Sequence, residues 1–253
     1  MFSLLGAAVG AAYHVVSAFA SVLAPLPGGL AAAAAIVIFT LAVRLLLLPL
    51  SYYAIRGQAS QARLAPQIQA LRRRHAARPE RLQRELAALY RREGTGMFAG
   101  FLPLLLQLPL LSIVYALFRS GTVAGQPNSL LSHDLLGAPL GSHWLSTPGP
   151  FSAQGAVFLG LFALLAVAAW LAARIARASA AKLAQGGPPA PASPAGAVGW
   201  LVRALPYTTL VIAAVMPLAA GLYLLTTTAW AAAERALLAP RVRRHIRAQS
   251  RSA

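Results

Sequence analysis

The stretch Ile36-Val-Ile-Phe-Thr-Leu-Ala-Val-Arg-Leu-Leu-Leu-Leu-Pro-Leu50 places one arginine inside a long apolar run. A bilayer core of about 30 Å is crossed by roughly 20 apolar residues of helix, so the run predicts a membrane span. Arg44 then lies about six residues from the inner end of that span. Burying an arginine there costs roughly 2.5 to 3.5 kcal/mol, so the side chain needs water, an anion or a path to the headgroups. The stretch therefore predicts a membrane protein with a charge inside its core.

The composition of the whole chain also indicates a membrane protein. Of the 253 residues, 58% are hydrophobic and only 11% are charged, whereas soluble domains carry about 25% charged residues. The charge is one-sided, because 22 Lys and Arg stand against five acidic residues. Such a balance predicts anionic partners, for example lipid headgroups. The lack of cysteine excludes disulfides, thiolate metal sites and a cysteine nucleophile.

The distribution of basic residues predicts the topology. Segment 52–96 holds ten Arg and three Glu, whereas segment 121–150 holds no Lys or Arg. The positive-inside rule therefore places the first in the cytoplasm and the second outside. The last apolar region, 204–233, is too long for one span, and Met216-Pro217 divides it into two, which keeps the basic C-terminus inside. We expect an all-α polytopic membrane protein whose five spans cover about residues 30–50, 98–118, 151–174, 203–216 and 218–238.

The parts between the spans follow from the same pattern. Residues 1–29 are predicted to form an extracytoplasmic amphipathic helix and loop, because Tyr13, His14 and Ser17 interrupt one side of an apolar stretch. A sixth span and a cleaved signal remain alternatives for this part. The spans and their connections form a core of residues 30–238. We expect a cytoplasmic helical hairpin at 52–96, an outer loop at 119–150, a cytoplasmic Pro/Ala linker at 175–202, and a basic cytoplasmic tail at 239–253.

Two interpretations of Arg44 remain open. Its long stem could carry the charge to the inner headgroups, or its permanently charged guanidinium could face a hydrated groove and bind an acidic group of a substrate. Within the predicted spans the one acidic residue is Glu234, near the inner end, which favours an acidic partner from outside the chain. Some polar span residues could line such a groove or bond to helix backbone instead, namely Thr40, Gln107, Ser112, Thr208 and Thr227.

The predicted hairpin carries apolar stripes at helical spacing under a basic surface. Pro79 fits the first turn of its second helix and Gly94 fits the end. The hairpin is either a positive-inside loop that happens to be helical, or a docking element for nascent chain, ribosome or anionic lipid. The basic residues assigned to client recruitment are Arg72, Arg73, Arg74, Arg81 and Arg84.

Other function classes fit the sequence less well. The five His are scattered and the spans lack the groups a hydrolase would use, so we expect no enzyme, no cofactor and no metal site. An ion-coupled transporter would ordinarily place carboxylates at the membrane midplane. The main alternative is an anion channel or a lipid or ion transporter that uses Arg44 as the attracting charge. Specific nucleic-acid binding is disfavoured, because the basic helices carry few aromatics for stacking.

Three stretches taken together resemble the YidC/Oxa/Alb family of membrane protein insertases. Ala42-Val-Arg-Leu-Leu-Leu-Leu-Pro-Leu50 is similar to the first core span of the family with its groove arginine. Leu64-Ala-Pro-Gln-Ile-Gln-Ala-Leu-Arg72 with Leu86-Ala-Ala-Leu-Tyr-Arg91 is similar to its cytoplasmic hairpin. Phe101-Leu-Pro-Leu-Leu-Leu-Gln-Leu-Pro-Leu-Leu111 is similar to its second span. The length fits the short, Gram-positive-like form.

The resemblance implies an insertase of the bacterial plasma membrane, with its N-terminus outside and its C-terminus in the cytoplasm. It implies a five-span core whose groove opens to the cytoplasm and to lipid. Arg44 would attract the polar or acidic tail of a hydrophobic client protein, and the client's apolar segment would pass into lipid. The implied partners are newly made membrane proteins, the Sec translocon, the ribosome and anionic lipids.

Overall fold

The described part of the chain is helical except for two short hairpins. The computed structural model describes residues 2–27, 30–76, 78–94, 112–123, 125–184 and 208–249. The helices are α1 (Phe2–Val22), α2 (Leu30–Leu46), α3 (Leu48–Arg74), α4 (Pro79–Arg92), α5 (Ala153–Ala184), α6 (Thr208–Val215) and α7 (Leu218–Gln249), and residues 112–119 are also helical. The strands are β1 (Thr122–Val123), β2 (Gln126–Pro127), β3 (Asp134–Leu135) and β4 (Ala138–Pro139).

One helix in the described ranges is long and apolar enough to cross a bilayer alone, within α5 at Ala153–Ser179. A second candidate combines α2 with Leu48–Gln61 of α3 across a break. The five predicted spans are therefore not confirmed and stay a prediction, and residues 98–111 of the second one lie outside the described residues. Large apolar side chains of α5 are exposed, as expected for a lipid-facing helix, among them Leu164, Val167 and Leu171.

Three helix ends differ from the predicted span ends. Helix α2 ends at Leu46 rather than at 50, because Pro49 disfavours helix in the residue before it and fits the first turn of a new helix. Helix α5 continues past 174 to Ala184, through Ala-rich sequence that forms helix well. Helix α7 continues past 238 to Gln249, across Pro240, so the predicted linker and tail both begin as helix. The apolar runs mark where lipid is expected and not where helices stop.

The chain divides into two compact units. The first contains α1, α2, the 112–152 region, most of α5, α6 and the beginning of α7. In this unit α1 packs on α2 through Val9, Ala12 and Val16, which recur at helical spacing and are buried. Its core also includes Ile36, Leu117, Leu140, Phe158, Leu165, Leu218 and Tyr223.

The 119–150 loop is a folded element of the first unit. Strand β1 pairs antiparallel with β2, and β3 with β4. Asn128 holds the loop to the end of the preceding helix, because its buried Nδ2 donates to the carbonyls of Leu117 (2.7 Å) and Ser120 (3.1 Å). Its Oδ1 accepts from the N–H of Leu130 at 3.3 Å. One side chain therefore satisfies three backbone groups.

The predicted break at Met216-Pro217 is confirmed, since α6 ends at Val215 and α7 begins at Leu218. The first N–H groups of a helix have no partner within the helix. Here the N–H of Leu218 donates to the carbonyl of Ser142 (2.9 Å), and that of Ala219 to the carbonyl of Leu140 (3.0 Å). The 119–150 loop thus supplies the acceptors that the broken helix lacks.

The second unit contains α3, α4 and the C-terminal parts of α5 and α7. Helices α3 and α4, here called the α3–α4 hairpin, lie in the segment of the predicted hairpin and are joined at 75–78, with Pro79 in the first turn of α4 and Gly94 at a positive φ of 60° after its end. Leu64 of α3 is buried, and Arg63 pairs with Glu93 at 3.6 Å. A cytoplasmic helical hairpin over 52–96 stays a prediction.

Candidate functional site

Arg44 lies in the last turn of α2 and is only 9% exposed. It shares one face of the helix with Ile36 and Thr40, at intervals of four residues, and both of these are buried as well. The end of α2 at Leu46 brings Arg44 closer to the helix terminus than the sequence predicted. The carbonyl groups that end a helix carry partial negative charge, which stabilises a cation in the last turn. The local fold thus lowers the cost of keeping a guanidinium among apolar residues.

Thr40 is 2% exposed, and its hydroxyl donates to the carbonyl of Ile36 at 2.7 Å. This is the bond to the residue's own helix that the sequence left open as an alternative. In this structure Thr40 is therefore satisfied within α2, one helical turn from Arg44.

Thr227 of α7 is 7% exposed and belongs to the same unit as Arg44. Four residues before it on the same helix face lies Tyr223, which is 1% exposed. Tyr223 belongs to this unit as well. The hydroxyls of the neighbouring Thr226 and Thr228 donate to the backbone carbonyls four residues earlier, at 2.8 and 2.7 Å.

The structure thus buries Arg44, Thr227 and Tyr223 in the same unit, and Tyr223 is a residue that sequence reasoning missed. One signal in the sequence could have pointed to Tyr223. It lies four residues before Thr227, and therefore on the same face of the helix that follows Pro217. A tyrosine in an apolar run is usually interpreted as core, and its hydroxyl gives no sign in the sequence of the group it faces.

Two of the remaining predicted groove residues are not buried with Arg44. Ser112 and Thr208 are exposed at the beginning of their described helical segments. Gln107 lies outside the described residues. Their part in a groove stays a prediction.

The basic residues assigned to recruitment lie on the exposed surface of the α3–α4 hairpin. Helix α4 carries half-buried Leu82, Leu86 and Leu89 on one side and exposed arginines on the other. Arg84 is 3.6 Å from Glu80, an exposed pair one helical turn apart, of the kind that contributes about 0.3 to 0.5 kcal/mol. All five recruitment residues are exposed, namely Arg72, Arg73, Arg74, Arg81 and Arg84.

Comparison with known proteins identifies a family that matches most of the chain. The family described as 60Kd inner membrane protein matches residues 25–244, a range that includes Arg44, the α3–α4 hairpin and Tyr223. A protein of Chloroherpeton thalassium named Membrane protein insertase YidC is 34% identical over 100 residues, covering 40% of this chain and 17% of that protein. A protein of Clostridium perfringens with the same name is 37% identical over 87 residues, covering 34% of this chain and 37% of that protein. The matched stretches thus span well under two thirds of either relative.

Proposed function

The chain belongs to the 60Kd inner membrane protein family, since that family matches residues 25–244 of its 253, and we propose that it is a membrane protein insertase. The relatives named Membrane protein insertase YidC support this assignment. The observation in the structure that supports it most is the buried Arg44, the one charged residue of helix α2. Burying a charge in an apolar helix costs free energy, so we expect Arg44 to have a function.

In the proposed mechanism, Arg44 attracts the polar or acidic tail of a client protein into a hydrated groove. Two opposite unit charges about 4 Å apart attract by about 1 kcal/mol in water and by about 4 kcal/mol at an effective dielectric constant near 20. Burial of Arg44 therefore strengthens its attraction for an acidic group. The guanidinium cannot lose its proton, so the attraction persists at any physiological pH. The client's apolar segment then leaves the groove for lipid.

The groove residues in this proposal are Arg44 and the polar residues predicted around it. Thr227 is supported by its burial in the same unit as Arg44. Thr40 is supported by its place on the same face of α2 as Arg44. Gln107, Ser112 and Thr208 enter the proposal from the sequence alone.

The α3–α4 hairpin is proposed to recruit clients. Its exposed arginines offer a basic surface, and the partly covered leucines of α4 offer an apolar edge. Such a surface fits nascent chains, ribosomal RNA and anionic headgroups. We include the ribosome and the Sec translocon as partners on the strength of the family resemblance.

We further propose five spans in a bacterial plasma membrane, with the N-terminus outside and the C-terminus in the cytoplasm. For α1, the proposed position is the outer surface of the membrane. The hydroxyl of Tyr13, in the middle of α1, lies 3.1 Å from that of Ser129 in the 119–150 loop. Because residues 121–150 of this loop lack Lys and Arg and are expected outside, this contact favours a surface helix over a sixth span.

The function is tested by depleting the protein in cells and following insertion of a small client with an acidic N-terminal tail. We expect wild type and Arg44→Lys to restore insertion, and Arg44→Ala to restore it poorly, because attraction by charge is the proposed step. Arg119→Ala, which removes an exposed arginine, serves as the control. Full rescue by Arg44→Ala would refute the electrostatic mechanism. Unchanged insertion on depletion, together with altered anion or lipid flux, would support the alternative of a channel or transporter.

A further inference from the structure

The segment where the 119–150 loop joins α5, here called the loop–α5 junction (residues 144–152), differs in composition from the beginning of the loop. Residues 135–173 contain no Asp, Glu, Lys or Arg, whereas the beginning of the loop carries Arg119 and Asp134. Segments in water usually carry about 25% charged residues. The charge-free run of α5 therefore begins well before the helix itself, and it includes the whole junction.

Two ring contacts place the junction beside the first turns of α5. Trp144 begins a short 3₁₀ helix, Trp144–Ser146. The centroid of its ring lies 6.0 Å from that of Phe158 and 5.4 Å from that of Phe162. With a rise of 1.5 Å per residue, these two residues lie about 8 and about 14 Å along α5 from Ala153. The junction thus runs back along the helix and does not stand away from it.

The length of α5 gives the depth of these contacts in a bilayer. The candidate span Ala153–Ser179 has 27 residues, a length of about 40 Å. A bilayer measures about 40 to 45 Å with its headgroups and about 30 Å without them. Roughly the first 5 to 8 Å of the helix therefore lie among headgroups. Trp144, beside Phe158 and Phe162, then lies near the boundary between headgroups and acyl chains, where tryptophan is enriched in membrane proteins.

The junction exposes two large apolar side chains at this level. Leu145 is 79% exposed and Phe151 is 99% exposed. The 3₁₀ helix also contacts α6, and α5 and α6 themselves expose aliphatic side chains such as Leu159 and Val215. Leu145 thus adds to an apolar surface that two neighbouring helices already expose. Exposed apolar surface of this kind marks a site of contact with lipid or protein.

The hydroxyl groups of the junction are bonded within the chain. Each of them donates to the backbone carbonyl three residues earlier, at 2.7 to 2.9 Å, namely those of Ser146, Thr147 and Ser152. Polar groups close to lipid need partners within the protein, because acyl chains offer none. The hydrogen bonds of the junction therefore suit a place at the membrane surface.

We propose that the loop–α5 junction is a lipid-binding element at the membrane interface. Leu145 inserts among the acyl chains next to the headgroups, and Phe151 lies in the headgroup layer, on the outer side in the proposed topology. The carbonyls of Leu140 and Ser142, which accept from the first N–H groups of α7, come just before the junction. Lipid therefore helps to hold the part of the loop that caps α7. The proposal requires no step of insertion.

The test uses the full chain in lipid vesicles with one fluorescent label whose emission depends on water. Because the chain has no cysteine, Leu145→Cys and Phe151→Cys can each carry the label. Ser132→Cys, at an exposed residue of the same loop, is the control for water, and Leu164→Cys, at an exposed residue of α5, is the control for lipid. Each variant is measured in plain vesicles and in vesicles whose lipids carry a nitroxide quencher. The nitroxide is placed either near the headgroup or near the end of the acyl chain.

We expect the label at Leu145 to emit at shorter wavelength than the label at Ser132 and to lose several-fold more of its emission to the nitroxide near the headgroup. The label at Phe151 should show the same loss with a smaller shift, because it lies in the headgroup layer. The label at Leu164, about 17 Å along α5, should be quenched more by the nitroxide near the end of the acyl chain. The replaced side chains are exposed, so their substitution should leave the fold unchanged.

Emission at Leu145 like that at Ser132, with equally weak quenching, would overturn the proposal. Emission at shorter wavelength without quenching would also overturn it, because another copy of the chain would then cover Leu145 in place of lipid. Stronger quenching of the Leu145 label by the nitroxide near the end of the acyl chain would contradict the interfacial depth. None of these results depends on insertase activity, so they are distinct from the test of the proposed function.

Discussion

At the scale of single residues, Arg44 is conspicuous because it interrupts an apolar run, and the structure places it in the core of the first unit. Thr227 was selected as a polar residue of a span, and the structure buries it in the same unit as Arg44. Which side chains of α7 face Arg44 could not be predicted, because the register between two helices separated by about 180 residues is set by tertiary packing and not by local pattern.

The packing of α7 against α5 depends on Gly221. A Cβ added at this position would lie 2.5 Å from Cδ2 of the buried Leu161, closer than atoms pack. A Cβ added to Gly160 of α5 would have no neighbour within 4 Å. We expect Gly221→Ala to be less stable than Gly160→Ala by about 1 to 3 kcal/mol, the usual cost of overpacking.

Thermal unfolding of the two variants in the same detergent would measure this difference. Both replace a helical glycine with alanine, so the gain in helix propensity cancels between them. Equal melting temperatures would show that the close approach at Gly221 is not a packing constraint.

At the scale of elements, the helix break at Met216-Pro217 was predictable from local chemistry, whereas the element that caps it was not. Proline ends a helix through its own geometry. The carbonyls of Leu140 and Ser142 that accept from the first N–H groups of α7 come from a distant loop. The residues of that loop show no hydrophobic period, and its strands of two residues are too short to predict.

Asn128 is the residue on which the 119–150 loop depends most. Replacing it with Ala would leave the carbonyls of Leu117 and Ser120 and the N–H of Leu130 without this partner. A buried group that loses its partner costs about 1 to 3 kcal/mol, so we expect Asn128→Ala to lower the melting temperature and to speed proteolysis of the loop. Ser132→Ala, which alters an exposed hydroxyl of the same loop, should do neither. Wild-type stability in Asn128→Ala would contradict this role.

The α3–α4 hairpin should recruit clients through charge. At about 1 kcal/mol per basic residue near an anionic surface, replacing Arg72, Arg73 and Arg74 by Gln should weaken capture of an acidic client by vesicles containing the chain more than tenfold. The difference in capture between wild type and the triple variant should nearly vanish at high salt, because these arginines are exposed and salt screens their charge strongly. Arg119→Gln is the control. Equal capture at low salt would leave the hairpin a helical loop without a recruiting role.

At the scale of the whole molecule, the hydrophobic and the basic character of the chain have separate locations. The apolar residues form the helices and include exposed side chains that suit lipid, as on α5. Much of the positive charge lies on the α3–α4 hairpin. The sequence predicted helices and their order well, because apolar runs, prolines and charge are local signals. The ends of α2, α5 and α7 were predicted less well, because a helix continues through any sequence that forms it.

The topology can be tested directly because the chain has no cysteine of its own. Single cysteines at exposed positions should react with a membrane-impermeant reagent from one side only. We expect Glu85→Cys to be labelled from the cytoplasm, and Ser132→Cys and Gly6→Cys from outside. Labelling of Gly6→Cys from the cytoplasm would make α1 a span and contradict its proposed position on the outer surface.

The central claim is that the charge of Arg44 draws acidic client tails into the membrane. The most direct measurement is the insertion rate of one client into vesicles as the number of acidic residues in its tail is raised stepwise. With wild-type chain and with Arg44→Lys, the logarithm of the rate should rise with each acidic residue, because each adds attraction to a positive charge. With Arg44→Ala the rate should not depend on the number of acidic residues. The same rise with Arg44→Ala as with wild type would contradict the claim.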